Sequence, residues 1–352
     1  MNIQKGSVYY LAISIVIWLT VLLSISACAT SGTPQFKPGS TNDATANMVQ
    51  PNKTSAILPL TKDQSSTSIS STAVPVTKLA VIGNENPRSF GCAGNHDLYL
   101  IDNDHKDFIR LTKNADVRDV AWAPDGSGLI FSARFTNDGY GIYRISVEGT
   151  DLTQLSPNLT GGIDRGMPTW LDSNRIVFYQ SDGDRTLLHW MKIDETVPHF
   201  ITEGAEPSWS PRRQELTFIK RAQGLGFGDI YTINIDDNTA RRLTSDIYAK
   251  GPTWSLDGQK IAFYGYTSTS KSTGTYIMDS DGRNLIRLSS DLTPISWSPD
   301  SQYIIYATHP APGTCKNSIE ARKVDGTGTT MVYDAPANFH YAYAVWQPQI
   351  PK

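Results

Sequence analysis

One tryptophan-led unit returns along most of this chain, and a repeat of that size leaves few possible folds. Trp122, Trp170, Trp209, Trp254, Trp297 and Trp346 each precede a polar turn: WAPDG, WLDSN, WSPRR, WSLDG, WSPDS and WQPQI. The spacing is about 40–50 residues, the length of a four-stranded propeller blade. In the copy from Pro252 to Asp300, three strand-length runs follow the tryptophan, at Lys260–Tyr264, Thr275–Met278 and up to Arg287-Leu288-Ser289. Each is rich in Ile, Phe, Tyr or Leu and is bounded by Asp-Gly or Pro-Asp turns, the pattern of an antiparallel meander.

The signals inside the unit recur in order. A third-strand pattern is repeated at Leu98–Asp102, Ile142–Ile145, Leu188–Ile193, Ile230–Ile235, Tyr276–Asp279 and Ile319–Val324. A fourth-strand ending follows at Arg110-Leu-Thr112, Gln154-Leu-Ser156, Phe200-Ile-Thr202, Arg242-Leu-Thr244 and Arg287-Leu-Ser289, and has drifted at Met331–Tyr333. The first copy, from Lys78, has no tryptophan strand before it, whereas the chain ends in an orphan one, Tyr343–Trp346. Pairing the last strand with the first would remove the open edges of a linear array. The fold expected is therefore all-β, a six-bladed β-propeller closed by the C-terminal strand joining blade one.

The WSPDG-type turns, the IYxMDxDG third strand and the RLT ending resemble the TolB-type six-bladed β-propeller repeats. The likeness covers about three quarters of the chain, Lys78 to Gln349. It implies the architecture, a fold that serves many unrelated tasks. TolB carries a mixed α/β domain before its propeller and works with an outer-membrane lipoprotein in envelope integrity. Here that position holds a targeting segment and a linker, so the partner role does not carry over with the fold.

The targeting segment spans residues 1–27. One lysine precedes an apolar run from Val8 to Leu23, and Ile25-Ser26-Ala27-Cys28 follows. A short basic start, an apolar stretch and small residues before a cleavage point describe a secretory signal. With the cysteine it resembles the lipobox of bacterial lipoproteins, which implies Cys28 as the lipidated first residue of the mature chain. An uncleaved membrane anchor is the other reading of so long an apolar run. Either places the remainder outside the cytoplasm, lipid-anchored to the cell membrane or outer membrane of a bacterium; Ala29 after the cysteine favours the outer membrane where one exists.

Residues 28–77 are dominated by Ser, Thr, Pro and Asn. Such a segment cannot bury enough apolar surface to offset chain entropy and is expected to be a disordered linker. Its r.m.s. span of roughly 40 Å lets the head at 78–352 search a volume, or serves only to clear the wall.

Several chemistries are read from the rest. Asp-Gly pairs such as Asp125-Gly126, Asp281-Gly282 and Asp325-Gly326 supply hairpin turns and lack the oxygen set of a calcium loop. Gly224–Gly228 opens no helix, so it lacks the geometry of a phosphate loop. Cys92 and Cys315 fall in corresponding loops of the first and last blades, and a disulfide across the seam is expected in an oxidising compartment. His96, His309 and His340 map to the same face and are candidate metal ligands; no cofactor is expected. Loops entering the innermost strands should ring a funnel, offering Arg118, Asp119, Asp164, Arg165, Glu206, Lys250, His340 and Tyr341 to a polar small molecule, glycan or extended peptide.

Net charge is −3 without a basic stripe, which argues against nucleic acid. No Gly-x-Ser-x-Gly elbow is present. The function expected is a membrane-tethered, monomeric, non-enzymatic binding or scaffolding module for a protein, peptide or glycan. The alternatives are a metal-assisted lyase or hydrolase at the funnel and a small-ligand sensor.

Overall fold

The computed structural model describes residues 77–348, except for 86–94, 103–107, 136–138, 157–163, 182–184, 222–226, 268–272, 291–295, 309–316, 335 and 337–338. Cys28, the signal, almost all of the linker, Cys92, Cys315 and His309 lie outside the described residues, as do 222–226 of the glycine-rich loop.

Among the described residues there is no helix; strands are joined by turns, bends and irregular stretches. In chain order the strands are β1 (Leu79–Glu85), β2 (Asp97–Ile101), β3 (Phe108–Arg110), β4 (Val117–Trp122), β5 (Gly128–Ala133), β6 (Gly141–Ser146), β7 (Thr153–Gln154) and β8 (Asp164–Trp170). Next come β9 (Arg175–Ser181), β10 (Thr186–Lys192), β11 (His199–Glu203), β12 (Ala205–Ser210), β13 (Glu215–Arg221), β14 (Gly228–Asn234), β15 (Ala240–Arg242) and β16 (Ile247–Trp254). The last are β17 (Lys260–Thr267), β18 (Thr273–Asp279), β19 (Ile286–Ser289), β20 (Ser296–Trp297), β21 (Tyr303–Ala307), β22 (Ser318–Lys323), β23 (Thr329–Asp334) and β24 (Phe339–Trp346).

They form antiparallel sheets: β4 to β7, β8 to β11, β20 to β23, the set β24-β1-β2-β3, and an eight-stranded sheet. The last consists of the meanders β12–β15 and β16–β19, bridged at Gly228 and Ala249. β24 lies antiparallel to β1, with Trp346 opposite Leu79 and Tyr343 opposite Ile82. The strand carrying the tryptophan in each meander (β4, β8, β12, β16, β20 and β24) is called its lead strand below.

Cores form between successive sheets. One cluster joins Leu79, Tyr99 and Trp346 to Ile305 and Ile319, and another joins Ile82 and Leu98 to Trp122 and Phe131. Ile130 and Ile142 pack on Trp170 and Phe178, while Val177 and Leu188 pack on Leu216 and Phe218. Ile219 and Ile230 meet Trp254 and Phe263, and Ala262 and Ile277 meet Trp297 and Ile304. Both faces of each middle strand are thus buried, which is why β5 reads Gly-Leu-Ile-Phe-Ser-Ala without polar alternation.

The motif residues hold this frame. Thr112 Oγ1 accepts the Leu98 N–H at 2.9 Å and donates to Asp97, while Arg110 bonds Thr112 O and pairs with Asp97 at 2.5 Å. Arg242, Thr244 and Asp229 repeat the clasp at β14. The Arg-Leu-Thr ending is therefore a device that locks the fourth strand to the third. In the turns after the tryptophans, Asp125 and Asp257 accept from backbone two residues on, and Gly126 and Gly258 take φ of +68° and +70°. That is turn chemistry, as the residue types require.

Candidate functional site

The lead strands converge on one cavity of 1630 Å³ whose wall draws residues from β4, β8, β12, β16, β20 and β24. The position three residues before each tryptophan sets its character. That position holds Asp119, Met167, Glu206, Gly251 and Tyr343, all on the wall. Met167, Glu206 and Gly251 are left-handed, with φ of 48°, 57° and 60°. At each the pairing register slips by a bulge, and Pro168, Pro207 or Pro252 follows. Proline cannot donate to a ladder and is tolerated in a sheet at such bulges.

The bulges turn backbone N–H groups sideways, where carboxylates of the preceding lead strand accept them. Asp119 Oδ2 accepts from Met167 N at 3.1 Å and from Ser132 Oγ at 2.8 Å. Glu206 Oε2 accepts from Gly251 N at 2.5 Å, and Glu206 is buried. These two acids are therefore stitches between neighbouring meanders as well as wall residues.

Two lead-strand tryptophans, of which Trp122 is on the wall, take part in the same stitching. Trp122 Nε1 donates to Val345 O at 3.1 Å, and Trp297 Nε1 to Thr253 O at 3.0 Å. Beyond them the wall continues into the turns that follow, through Asp172, Arg212, Leu256, Asp300 and Gln347. The mouth expected at the loops entering the lead strands accounts for only one end of this cavity. The turns after the tryptophans line the other, because β8, β12 and β16 carry the wall from their bulges down into those turns.

Of the expected funnel residues, Asp119, Glu206 and Lys250 are on the wall. Arg118, His340 and Tyr341 are not. The Arg118 guanidinium instead lies 3.6 Å over the Tyr140 ring, whose hydroxyl donates to Asp116 at 2.5 Å. Arg134 pairs with Asp116 at 2.7 Å. Burial, then the Asp116 bond, pushes the Tyr140 phenol up to about 12. Tyr341 is a correction to the sequence reading: it is 1% exposed in the core between β24 and the β20–β23 sheet. A bulge at Ala342 lies between it and Tyr343, so these two residues, which plain alternation would put on one face, turn opposite ways and Tyr343 reaches the wall instead. Asp164 and Arg165 open β8 opposite Ser181 and Gln180.

His96 and His340 do come together, with ring centroids 6.2 Å apart. Burial holds both imidazoles below their ordinary pKa, and His96 adds to the lowering at His340. His96 Nε2 and His340 Nδ1 are buried without a hydrogen-bond partner. Among the described residues, no three His, Cys, Asp or Glu side chains gather as a metal site would require.

Met167, Tyr343 and the turn residues of the wall were not anticipated. A signal for Met167 exists in GMPTW, as in AEPSW and KGPTW, where a mid-strand proline announces a bulge; Tyr343 carries no such signal.

No protein-family model matches the sequence. Solved structures do resemble the fold. TolB from Acinetobacter baumannii superposes with a TM-score of 0.66 at 20% identity, over 79% of this chain and 68% of that one. Hydrazine synthase from Kuenenia stuttgartiensis gives 0.59 at 15% identity, over 79% of this chain and 48% of that one. A chain of a nidogen–laminin complex gives 0.56 at 12% identity, over 76% of this chain and 98% of that one. At such identities the likeness is one of fold, a propeller-like arrangement of antiparallel sheets.

Proposed function

We propose that this chain is an extracytoplasmic, lipid-tethered propeller head that binds an extended partner chain in its central cavity and catalyses nothing. The architecture in this reading is a ring of six blades with β24 as the innermost strand of the first. The β24–β1 pairing and the core clusters between successive sheets support it. The lipobox ending at Cys28 supports the tether, and Cys92 with Cys315 would staple the seam.

The observation that carries the binding role is the cavity wall itself. All six lead strands contribute to it, and it mixes acids, cations, prolines and indoles along its length. A wall of that kind suits a chain with backbone polar groups and side chains of both signs. The fold neighbours, among them one in a nidogen–laminin complex, are compatible with a binding or scaffolding role.

Site-specific photo-crosslinking tests the reading. A photo-reactive residue at Ser173, on the wall, should give a discrete protein adduct in cells, and one at Leu152, exposed on an outer turn, should not. Arg212→Glu should abolish the Ser173 adduct. Equal adducts at both positions, or none at Ser173, would remove the cavity as the binding site.

A further inference from the structure

At the junction of the two meanders in the eight-stranded sheet, aromatic side chains collect on one face. Tyr248 on β16 stands opposite Tyr266 on β17, and Lys250 stands opposite Tyr264. Strand alternation puts these four side chains on the same side, while Ala249 and Phe263, pointing the other way, are fully buried. The rings of Tyr248 and Tyr266 stack at 5.0 Å and 19°. Phe227, just before β14, meets Tyr266 edge-on at 5.4 Å and lies 6.4 Å from Tyr264.

These rings are not seam filler. Phe131, Phe178, Phe218 and Phe263 fill seams and are at most 1% exposed, whereas Phe227, Tyr248, Tyr264 and Tyr266 are all half-buried. Among the described residues, the hydroxyls of the three tyrosines have no hydrogen-bond partner, and Lys250 Nζ has no ion pair. The backbone beneath is held firmly. A Cβ on Gly265 would lie 2.6 Å from Tyr248 O, so only glycine lets β17 approach β16 between its two tyrosines. The Gly228–Ala249 bridge ties Phe227 to the same platform. Lys250 stands where the platform meets the cavity wall.

We infer that this platform is a docking site for a proline-rich, acidic segment of the partner in polyproline II conformation. The inference rests on the cavity-binding reading above and names the chemistry of what binds. A polyproline II chain carries apolar pyrrolidine rings that pack on aromatic ridges, and backbone carbonyls with no internal partner, which tyrosine hydroxyls satisfy. Its low conformational entropy keeps the cost of ordering small. Lys250 gives the site its sign, drawing an acidic residue toward the cavity.

The test is calorimetric titration of the full chain with a blocked oligoproline ending in glutamates, the same peptide ending in lysines, and a chitin oligosaccharide. The glutamate peptide should bind tightest. Tyr264→Phe and Tyr266→Phe keep the rings and remove only the hydroxyls, and each should weaken binding about fivefold. Tyr248→Ala should weaken it about tenfold. Lys250→Glu should reverse the preference toward the lysine peptide. No oligoproline binding, binding unchanged by the Tyr→Phe variants, or tyrosine-dependent binding of the saccharide alone would overturn the inference. Oligoproline binding that fails these criteria while the parent chain still gives its Ser173 adduct would sink the platform and leave the cavity reading standing; no Ser173 adduct in the parent chain would sink the cavity reading.

Discussion

Asn317 and Tyr341 exchange two hydrogen bonds across the junction of β22 and β24: Asn317 Nδ2 donates to Tyr341 O at 2.8 Å, and Tyr341 N donates to Asn317 Oδ1 at 2.8 Å. The carboxamide acts as a piece of backbone, satisfying both polar groups of one residue in the C-terminal lead strand. Asn317 is buried, so water cannot replace it. Asn317→Ala should destabilise the fold by about 2–4 kcal/mol, since a donor and an acceptor are left buried and unpaired. Urea unfolding checks this, and a change under about 0.5 kcal/mol would show the clasp to be dispensable.

The strand clasps should differ in worth although their sequences match. Asp97 is 4% exposed and takes bonds from Arg110, Thr112, Asn114 and Ala115. Asp97→Ala orphans several donors at once and should cost about 3 kcal/mol. Asp229, at 29% side-chain exposure, pairs with Arg242, and its alanine variant should cost about 1 kcal/mol or less. Thermal midpoints of the two variants, compared side by side, decide it.

Acid should loosen the joint where His96 meets His340. Both have folded-state pKa values held below the ordinary 6.5 by burial. The unfolded chain therefore takes up protons first as pH falls, and the contribution present above about 6.5 is lost below it. The urea midpoint should drop between pH 7.5 and 5.5, and His96→Asn with His340→Asn should flatten that drop. An unchanged slope in the double variant would exonerate the pair.

The bulge on the cavity wall offers a backbone test. Nothing lies within 4 Å of a Cβ placed on Gly251, whose φ is +60°. Gly251→Ala therefore meets only the conformational penalty and should cost about 1 kcal/mol. Met167 holds the same conformation with a side chain, at φ 48°, so Met167→Gly should be neutral within about 1 kcal/mol, strain relief offsetting lost contacts. A large loss at Met167→Gly, read from urea midpoints, would mean that the thioether is a packing anchor.

The tryptophan turns, the runs between them and the orphan Tyr343–Trp346 strand are local signals, each legible within a few residues, and they determined strand content, order and the partner of the last strand. Short-range periodicity and turn chemistry suffice for most of that, because the described sheets are meanders of chain neighbours apart from the β24–β1 pairing. The wall was harder. Asp119, Glu206 and Lys250 could be placed from the segments entering the lead strands, but Tyr341 and Tyr343 are two residues apart and would share a face in a regular strand; the bulge in β24 against β1 decides which of them faces the core. The Tyr248–Tyr266 stack depends on the register of β16 against β17, and the His96–His340 approach on the meeting of two segments far apart in the chain. Only the folded backbone fixes such distances, since nothing in the order of residues says how closely two strands or two sheets will pack.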